Sequence, residues 1–473
     1  MEQTKEKKQI RGENPLGYKS IPKLLAGFAI PSIIAMVVSS LYNVVDQIFI
    51  GQKVGYLGNA ATNVSFPLVT ICMAVSLTIG IGTAARFSLY LGQGREKDAA
   101  KTVGNGICMM ILFGALYGII LSVLYRPLLE AFGATENILP YAVTYTRITA
   151  IGMPFVVIMN GMSHAARADG SPMYSMITML LGAVINTILD PVFIFVLDMG
   201  VAGAAWATVI GQVASGIFAV LYVRRFKRIR LSKDCMRITL RQMGRTAMMG
   251  MSNGLTQVAI TFVQVVLNRS LVHYGALSEF GPDIPLAASG VVMKVNAIIL
   301  SVIIGLVQGM QPIIGFNYGA GKYKRVKSTY KTAILCELVI TGIGFAVFQL
   351  FPEQVLSIFG SGEEKELYYR FAVMFMRIFL ITMPFVGIHI ISSNFFSAIG
   401  KPIKGTILSL TRQVFFFIPL TLILPVFFGI NGLMFAAPVS DTLSFLTVMV
   451  FITHEMRQIN VKERARIKSG TET

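Results

Sequence analysis

The sequence predicts an all-α polytopic membrane protein with twelve transmembrane helices in two six-helix parallel repeats around a central cavity. Of its 473 residues, 54% are hydrophobic and only 14% are charged, whereas soluble domains carry about 25% charged residues. Apolar segments of about 20 residues, long enough to cross a bilayer, recur along nearly the whole chain. Lipid cannot satisfy open backbone groups, and the alternating pattern of a membrane β-barrel is absent, so these segments are predicted to be helices.

Each predicted span is an apolar segment between polar or basic connections. In chain order the spans are 24–50, 61–88, 102–125, 138–163, 173–197, 202–223, 246–274, 286–316, 329–351, 368–393, 403–428 and 432–453. Basic residues concentrate in the two tails and in the even-numbered connections, and the sixth connection alone holds nine of them. The positive-inside rule therefore predicts that both termini are cytoplasmic. Because the net charge of +18 comes from these short loops, we do not expect a nucleic-acid partner.

The two halves of the chain repeat one pattern at a nearly constant shift of 227 to 230 positions. The matched residues are Gly82 and Gly309, Gly92 and Gly319, Gly94 and Gly321, Arg147 and Arg377, and the triplets Met153-Pro154-Phe155 and Met383-Pro384-Phe385. Two halves of six spans each enter the membrane from the same side, which is the plan of many secondary transporters. The predicted divisions are a cytoplasmic N-terminal tail 1–23, an N-lobe 24–223, a basic linker 224–245, a C-lobe 246–453 and a cytoplasmic C-terminal tail 454–473.

Carboxylates inside the predicted spans are rare and costly, so each one is a candidate for function, although Glu337 and Asp441 of the second half match no family pattern and are predicted to pair locally. Asp190 lies in the segment VINTILDPVFIF of the fifth span, with Asn186 one helical turn before it. Asp46 of the first span and Thr208 of the sixth lie at a similar depth, roughly 6 to 10 Å inside the outer ends of their helices. The sequence thus predicts that four oxygen-bearing side chains of the N-lobe lie close together.

Such a cluster can bind a proton or a small cation. Two neighbouring buried carboxyl groups favour proton binding, and carboxylate, amide and hydroxyl oxygens also suit a hard cation such as Na⁺. The residues alone do not choose between H⁺ and Na⁺, so a Na⁺ site at Asp46, Asn186, Asp190 and Thr208 stays one of two expectations. A polar network that only holds helices together is the alternative.

Four motifs together resemble the MATE family of multidrug and toxic compound extrusion proteins. They are YNVVDQIFIG in the first span, NTILDPVFIF in the fifth, GVAGAAWATVIGQ opening the sixth and LGQGREKDAAK after the second. The likeness extends from about residue 20 to 455 and is strongest to the prokaryotic branch with a cation site in the N-terminal half. It implies that Asp46, Asn186, Asp190 and Thr208 bind the coupling ion, with Tyr145 as a further member. The acids that another branch places in the seventh and tenth spans are missing from 246–274 and 368–393.

The predicted function is secondary active multidrug efflux by alternating access. The resemblance implies that amphipathic, mostly cationic organic compounds leave in exchange for H⁺ or Na⁺. Flexible thioethers and amides suit a pocket for varied substrates. The cavity candidates are Met36, Met73, Met153, Met159, Gln257, Gln264, Met293 and Met310.

Other protein classes are weighed against this prediction. The sequence contains no Walker motif, zinc motif or nucleophile elbow, so neither an enzyme nor a cofactor is expected. The nearest alternative is a flippase for a lipid-linked precursor, followed by a membrane enzyme acting on lipids and a receptor that does not transport. We expect a monomer in the plasma membrane of a prokaryote, with small organic molecules and the lipid bilayer as its partners.

Overall fold

The computed structural model describes residues 14–358 and 365–468, and all regular secondary structure in these ranges is helical. Eleven helices are long and apolar enough to cross a membrane, and a bent pair makes a twelfth span. The predicted fold class is therefore confirmed. Most of the predicted N-terminal tail and the last residues of the C-terminal tail lie outside the described ranges.

The spanning helices are numbered α1 to α12 in chain order. They are α1 Ile21–Val54, α2 Tyr56–Gly92, α3 Glu96–Ala131, α4 Leu139–Ala168, α5 Pro172–Pro191, α6 Gly200–Leu221, α7 Leu240–Ala276, α8 Asp283–Gly319, α9 Tyr323–Leu350, α10 in two parts Lys365–Phe379 and Met383–Ala398, α11 in two parts Pro402–Leu410 and Ile418–Phe428, and α12 Ile430–Lys468. A π-helix, Val192–Val196, continues α5, and another, Thr411–Phe417, joins the parts of α11. A short helix, Pro352–Ser357, precedes α10.

The tenth span, predicted as one helix over 368–393, consists of two helices. Its two parts meet at an angle of 46°, with a break between Phe379 and Met383. Pro384 is the second residue of the second part. Proline is tolerated in a first helical turn, but its ring and missing N–H group prevent continuation of a preceding helix. The backbone therefore begins a new helix at this point.

The last helix continues about fifteen residues beyond the predicted end of the twelfth span and reaches Lys468. Ile459 is fully buried in a cluster with residues of α8 and α9. The buried Glu455 forms ion pairs with Lys401, the residue before α11, and with Lys404 in the first turn of α11. The predicted C-terminal tail is thus helical up to Lys468, because its apolar face and this acid both find partners on the C-lobe.

Helices of the two lobes cross closely at one end of the bundle, where glycines without side chains lie at the contacts. A Cβ atom added to Gly250 of α7 would lie 1.9 Å from the carbonyl oxygen of Thr78 in α2. One added to Gly82 would lie 2.0 Å from the carbonyl oxygen of Thr246. At Gly309 of α8, an added Cβ would lie 2.6 Å from the Cα atom of Ala29 in α1. Glycine permits this approach because it has no Cβ atom.

Both ends of the described chain lie at this same end of the bundle. The carbonyl oxygen of Leu16 accepts a hydrogen bond of 2.9 Å from the Asn317 side chain, at the end of α8. Arg466, near the end of α12, donates a hydrogen bond of 2.6 Å to the carbonyl oxygen of Ala320. We call this end the terminal end. It is the end that the distribution of basic residues predicts to be cytoplasmic.

Toward the opposite end, the same helix faces are no longer covered by the other lobe. On α2, Ile71 lies on the line of residues that continues from Gly82, and it is 39% exposed. Gln264 lies on the same face of α7 as Gly250, about four helical turns further along, and Asn43 lies on the same face of α1 as Ala29 at the same spacing. Both side chains are exposed. The lobes therefore separate into a cleft that opens away from the terminal end.

The basic linker 224–245 is held against the N-lobe by one buried carboxylate. Oδ2 of Asp169, in the turn after α4, accepts hydrogen bonds of 2.7 Å from the Tyr222 hydroxyl and from the backbone N–H of Lys227. Its Oδ1 accepts a third, of 3.1 Å, from the N–H of Arg228. Burial raises the pKa of Asp169, while these three donors act in the opposite direction.

We expect Asp169→Ala to destabilise the protein by about 2 kcal/mol, because it leaves buried donors without an acceptor. Thermal unfolding of the purified protein measures this as a lower Tm. Asp234→Ala is the matched control in the same linker, since its carboxylate is 82% exposed and lies 3.7 Å from Arg237. Equal melting temperatures for the two variants would show that Asp169 does not anchor the linker.

Candidate functional site

The end of α5 carries the centre of the site. Asp190 is fully buried and Asn186 is 3% exposed. The Asn186 amide donates two hydrogen bonds, of 3.2 Å to Oδ1 of Asp190 and of 3.3 Å to the Thr208 hydroxyl. One amide therefore joins the carboxylate of α5 to the hydroxyl of α6.

Two further predicted residues complete the cluster. The Asp46 carboxyl group of α1 interacts with the Asp190 carboxyl group of α5. The Tyr145 hydroxyl of α4 lies beside the Thr208 hydroxyl and near both acids. The structure thus brings all five predicted site residues together, on four helices of the N-lobe.

Three oxygens of this cluster are buried and lack a hydrogen-bond partner: Oδ1 of Asp46, Oδ1 of Asn186 and Oδ2 of Asp190. Buried polar atoms are nearly always paired, so a group of buried, unpaired acceptors is suited to a positively charged partner. A proton satisfies one carboxyl oxygen, and a hard cation can contact all three oxygens. Within the described residues no cluster of three or more His, Cys, Asp or Glu residues could hold a transition metal.

The local backbone explains why α5 and α6 can share this site. Gly211 of α6 faces α5, and an added Cβ would lie 2.7 Å from the carbonyl oxygen of Gly182 and 3.5 Å from the Cβ of Asn186. Directly after Asp190, Pro191 supplies no backbone donor, and the helix widens into the π-helix Val192–Val196. Such π-helical turns are frequent at functional sites.

Sequence reasoning missed Tyr42. Its hydroxyl lies near the carboxyl groups of both Asp46 and Asp190. Tyr42 precedes Asp46 by four residues, so the two side chains share a face of α1. That spacing was the available signal, and it identifies Tyr42 as the sixth residue of the cluster.

The predicted cavity residues divide into two groups. Met153 and Met310 are only 1% and 0% exposed inside packed hydrophobic clusters, so in this conformation neither presents its side chain to a cavity. In this conformation their helices turn these thioethers toward neighbouring helices, and a cavity role for the two residues stays a prediction. The others are half-buried or exposed and remain cavity predictions: Met36, Met73, Met159, Gln257, Gln264 and Met293.

Two acids of the C-lobe lie outside this cluster. Asp441 accepts hydrogen bonds from Arg412, at 2.8 Å, and from the Thr382 hydroxyl, at 2.9 Å. Glu337 accepts one of 3.0 Å from Thr341, and its second carboxyl oxygen has no partner. Asp441 is therefore a locally paired acid, whereas only one carboxyl oxygen of Glu337 has a hydrogen-bond partner.

In the described ranges, a helical bundle of eleven or twelve spans with two packed lobes and a buried polar cluster inside the first has the architecture of a polytopic membrane transporter. The family model MatE matches residues 31–192 and 253–423, more than half of the chain. The chain belongs to the MatE family of transporters. The two matched segments fall in the two halves of the internal repeat.

Similar proteins extend this finding over nearly the full length. The chain is 25% identical over 461 residues to the multidrug export protein MepA of Staphylococcus saprophyticus, covering 95% of this chain and 97% of that one. Among solved structures, the MATE multidrug transporter DinF-BH, solved as a complex, is 32% identical, with a TM-score of 0.84 and coverage of 92% and 96%. A MOP superfamily transporter from Pyrococcus furiosus shares the fold, with a TM-score of 0.87 at 22% identity and coverage of 94% and 98%.

Proposed function

We propose that this protein is a secondary active multidrug efflux antiporter. It exports amphipathic, mostly cationic organic compounds and takes up H⁺ or Na⁺ in exchange. The observation that carries the proposal is the group of three buried, unpaired oxygens on Asp46, Asn186 and Asp190. Family membership and relatives named for multidrug export support it.

The site can couple ion binding to the position of α1. Asp46 is contributed by α1, whereas Asn186, Asp190 and Thr208 belong to α5 and α6. When the site is empty of positive charge, two carboxylates repel across the gap between α1 and α5. A bound proton or Na⁺ removes that repulsion and draws the helices together.

The same α1 forms part of the closed contact between the lobes. Near its start, Ala29 and Ile33 pack against Gly309 and Gly305 of α8. Pro31 lies between them and removes one backbone hydrogen bond, so the helix can bend there. Ion occupancy at Asp46 thereby biases the contact at the terminal end. A ligand shifts such an equilibrium only through different affinity for the two states, and the ion supplies that difference.

Reconstituted vesicles with imposed gradients test the proposal. We expect a fluorescent cationic dye to move against its concentration gradient when an opposing pH or Na⁺ gradient is imposed, and to stop when an ionophore dissipates that gradient. Separate pH and Na⁺ jumps identify the coupling ion. A rate of dye movement that depends on neither the pH gradient nor the Na⁺ gradient would refute ion-coupled antiport.

A further inference from the structure

We propose that Lys294 forms an anion-accepting subsite on the C-lobe wall of the cleft, which binds the carboxylate of amphipathic zwitterions. The inference rests on the proposed export function and specifies one class of substrate for it. Lys294 lies within α8 and its side chain is exposed.

The direction of the Lys294 side chain follows from the contacts of α8. Lys294 precedes Gly305 by eleven residues, about three helical turns, so the two lie within about 20° of one another around the helix axis. Gly305 contacts Ile33 of α1 so closely that an added Cβ would lie 2.5 Å from the Ile33 Cα atom. On the opposite side of α8, about 160° around the axis from Lys294, Val292 is buried in the C-lobe core. Lys294 therefore faces the N-lobe across the cleft.

The charge of Lys294 is uncompensated. Among the described residues, its ammonium group has no hydrogen-bond or ion-pair partner. Within α1, α2, α7 and α8, whose glycines make the close contacts across the lobes, the acids are Asp46 and Asp283. Asp46 is turned toward Asp190 inside the N-lobe, and Asp283 lies at the first residue of α8, about 16 Å from Lys294 along the helix. No carboxylate of these helix faces neutralises the ammonium group, so a substrate can do so.

Helix α7 adds hydrogen-bonding groups to the same wall. The residues of α7 that contact the other lobe lie on one face of the helix. Alternating steps of four and three residues along the chain stay on that face. The line along that face consists of Gly250, Gly254, Gln257, Thr261, Gln264 and Asn268. The Gln264 amide donates a hydrogen bond of 2.8 Å to the Asn268 side chain, and Gln264 is exposed. Amide groups beside one ammonium group can hold a carboxylate and the polar atoms next to it.

The chemistry favours a carboxylate over a phosphate or diphosphate. One lysine supplies one positive charge as a point donor, which matches a single negative charge. A diphosphate carries more charge and is usually bound by bidentate arginines or several cations. The positively charged amine of the same substrate can face the polar N-lobe surface of α1, where Asn43 is exposed. The cleft thus suits an amphiphile with both an amine and a carboxylate.

A matched pair of dyes tests the subsite directly. The probes are a cationic xanthene dye with a free benzoic carboxylate and the ethyl ester of the same dye, which lacks that negative charge. Fluorescence polarisation with purified protein in nanodiscs gives Kd without any ion gradient. We expect Lys294→Gln to weaken binding of the free acid about tenfold or more and to leave the ester unchanged or bound more tightly. Lys294→Arg should retain the preference for the acid.

The controls separate this subsite from a structural role and from the coupling site. Arg269→Gln removes an exposed charge of α7 that lies about 100° from the cleft-facing line, and it should change neither Kd. An equal loss for acid and ester in Lys294→Gln, or no loss for either, would overturn the subsite. A preference for the acid that appears only when anionic lipid is absent would also overturn the subsite, because a lipid headgroup would then occupy the site in the membrane. If the protein prefers the acid over the ester but shows no ion-driven efflux in vesicles, the proposed function is rejected and the subsite is retained.

Discussion

Replacing Asp190 by Asn is expected to abolish ion-driven efflux, with a fall of about tenfold or more in the rate measured in vesicles. The amide keeps the size of the side chain but cannot take up a proton or contribute a negative charge to a cation. Dye binding to the purified variant should persist, because Asp190 faces Asp46 inside the N-lobe rather than the cleft. The two measurements together separate coupling from substrate binding.

Asp198→Asn is the matched control for this variant. Asp198 follows eight residues later, is 75% exposed and pairs with Lys53 at 2.7 Å. Its φ of 54° lies in the left-handed region, which Asn adopts more readily than most residues. An exposed ion pair contributes little, so transport should stay near the wild-type rate. If Asp190→Asn also retains wild-type efflux, the coupling site lies elsewhere, and Glu337 becomes the next acid to test.

Replacing Gly250 by Ala is expected to force the lobes apart at the terminal end. The new Cβ would lie 1.9 Å from a backbone oxygen of α2, and a main-chain carbonyl cannot rotate away as a side chain can. The closed contact between α2 and α7 would lose its packing, and we expect transport to fall about tenfold as that state is depleted. Alkylation of a cysteine at Ser88, which is 1% exposed beside Gly315, measures the opening in a background without the native cysteines.

Gly342→Ala provides the comparison, because an added Cβ at this position of α9 meets nothing within 4 Å. In a helix interior this change normally stabilises by about 0.5 to 1 kcal/mol, since alanine loses less conformational entropy on folding. Unchanged labelling of Ser88→Cys in both glycine variants would show that the Gly250 contact does not hold the lobes closed.

Parts of this architecture could be predicted from residues taken one at a time. A segment of some twenty apolar residues must cross the membrane as a helix, whatever its neighbours are. A carboxylate such as Asp190 is costly inside such a segment, so its presence alone indicated a function. The four-residue spacing of Asn186 and Asp190 fixed their shared face, and the structure joins them by a hydrogen bond of 3.2 Å.

Other features depend on how the helices rotate and pack. The sequence predicted Met153 and Met310 at a cavity, but both are buried in clusters, because the rotation of a helix decides which of its apolar faces meets a neighbour. Tyr42 was missed for the same reason, since its approach to two acids depends on the position of α1 against α5. The sequence showed Gly82 and Gly309 as equivalent positions of the repeat. It did not show that each of them contacts a helix of the opposite lobe.

The sequence by itself determined that the chain spans the membrane about twelve times as two related halves and that it keeps a few acids away from lipid. These follow from the transfer free energies of single residues and from helical spacing, which are properties of the local chain. Only the tertiary structure decided that Asp46 faces Asp190, that three oxygens remain unpaired and that Lys294 faces the cleft. Those relations join residues far apart in the chain, and the packing of whole helices sets them.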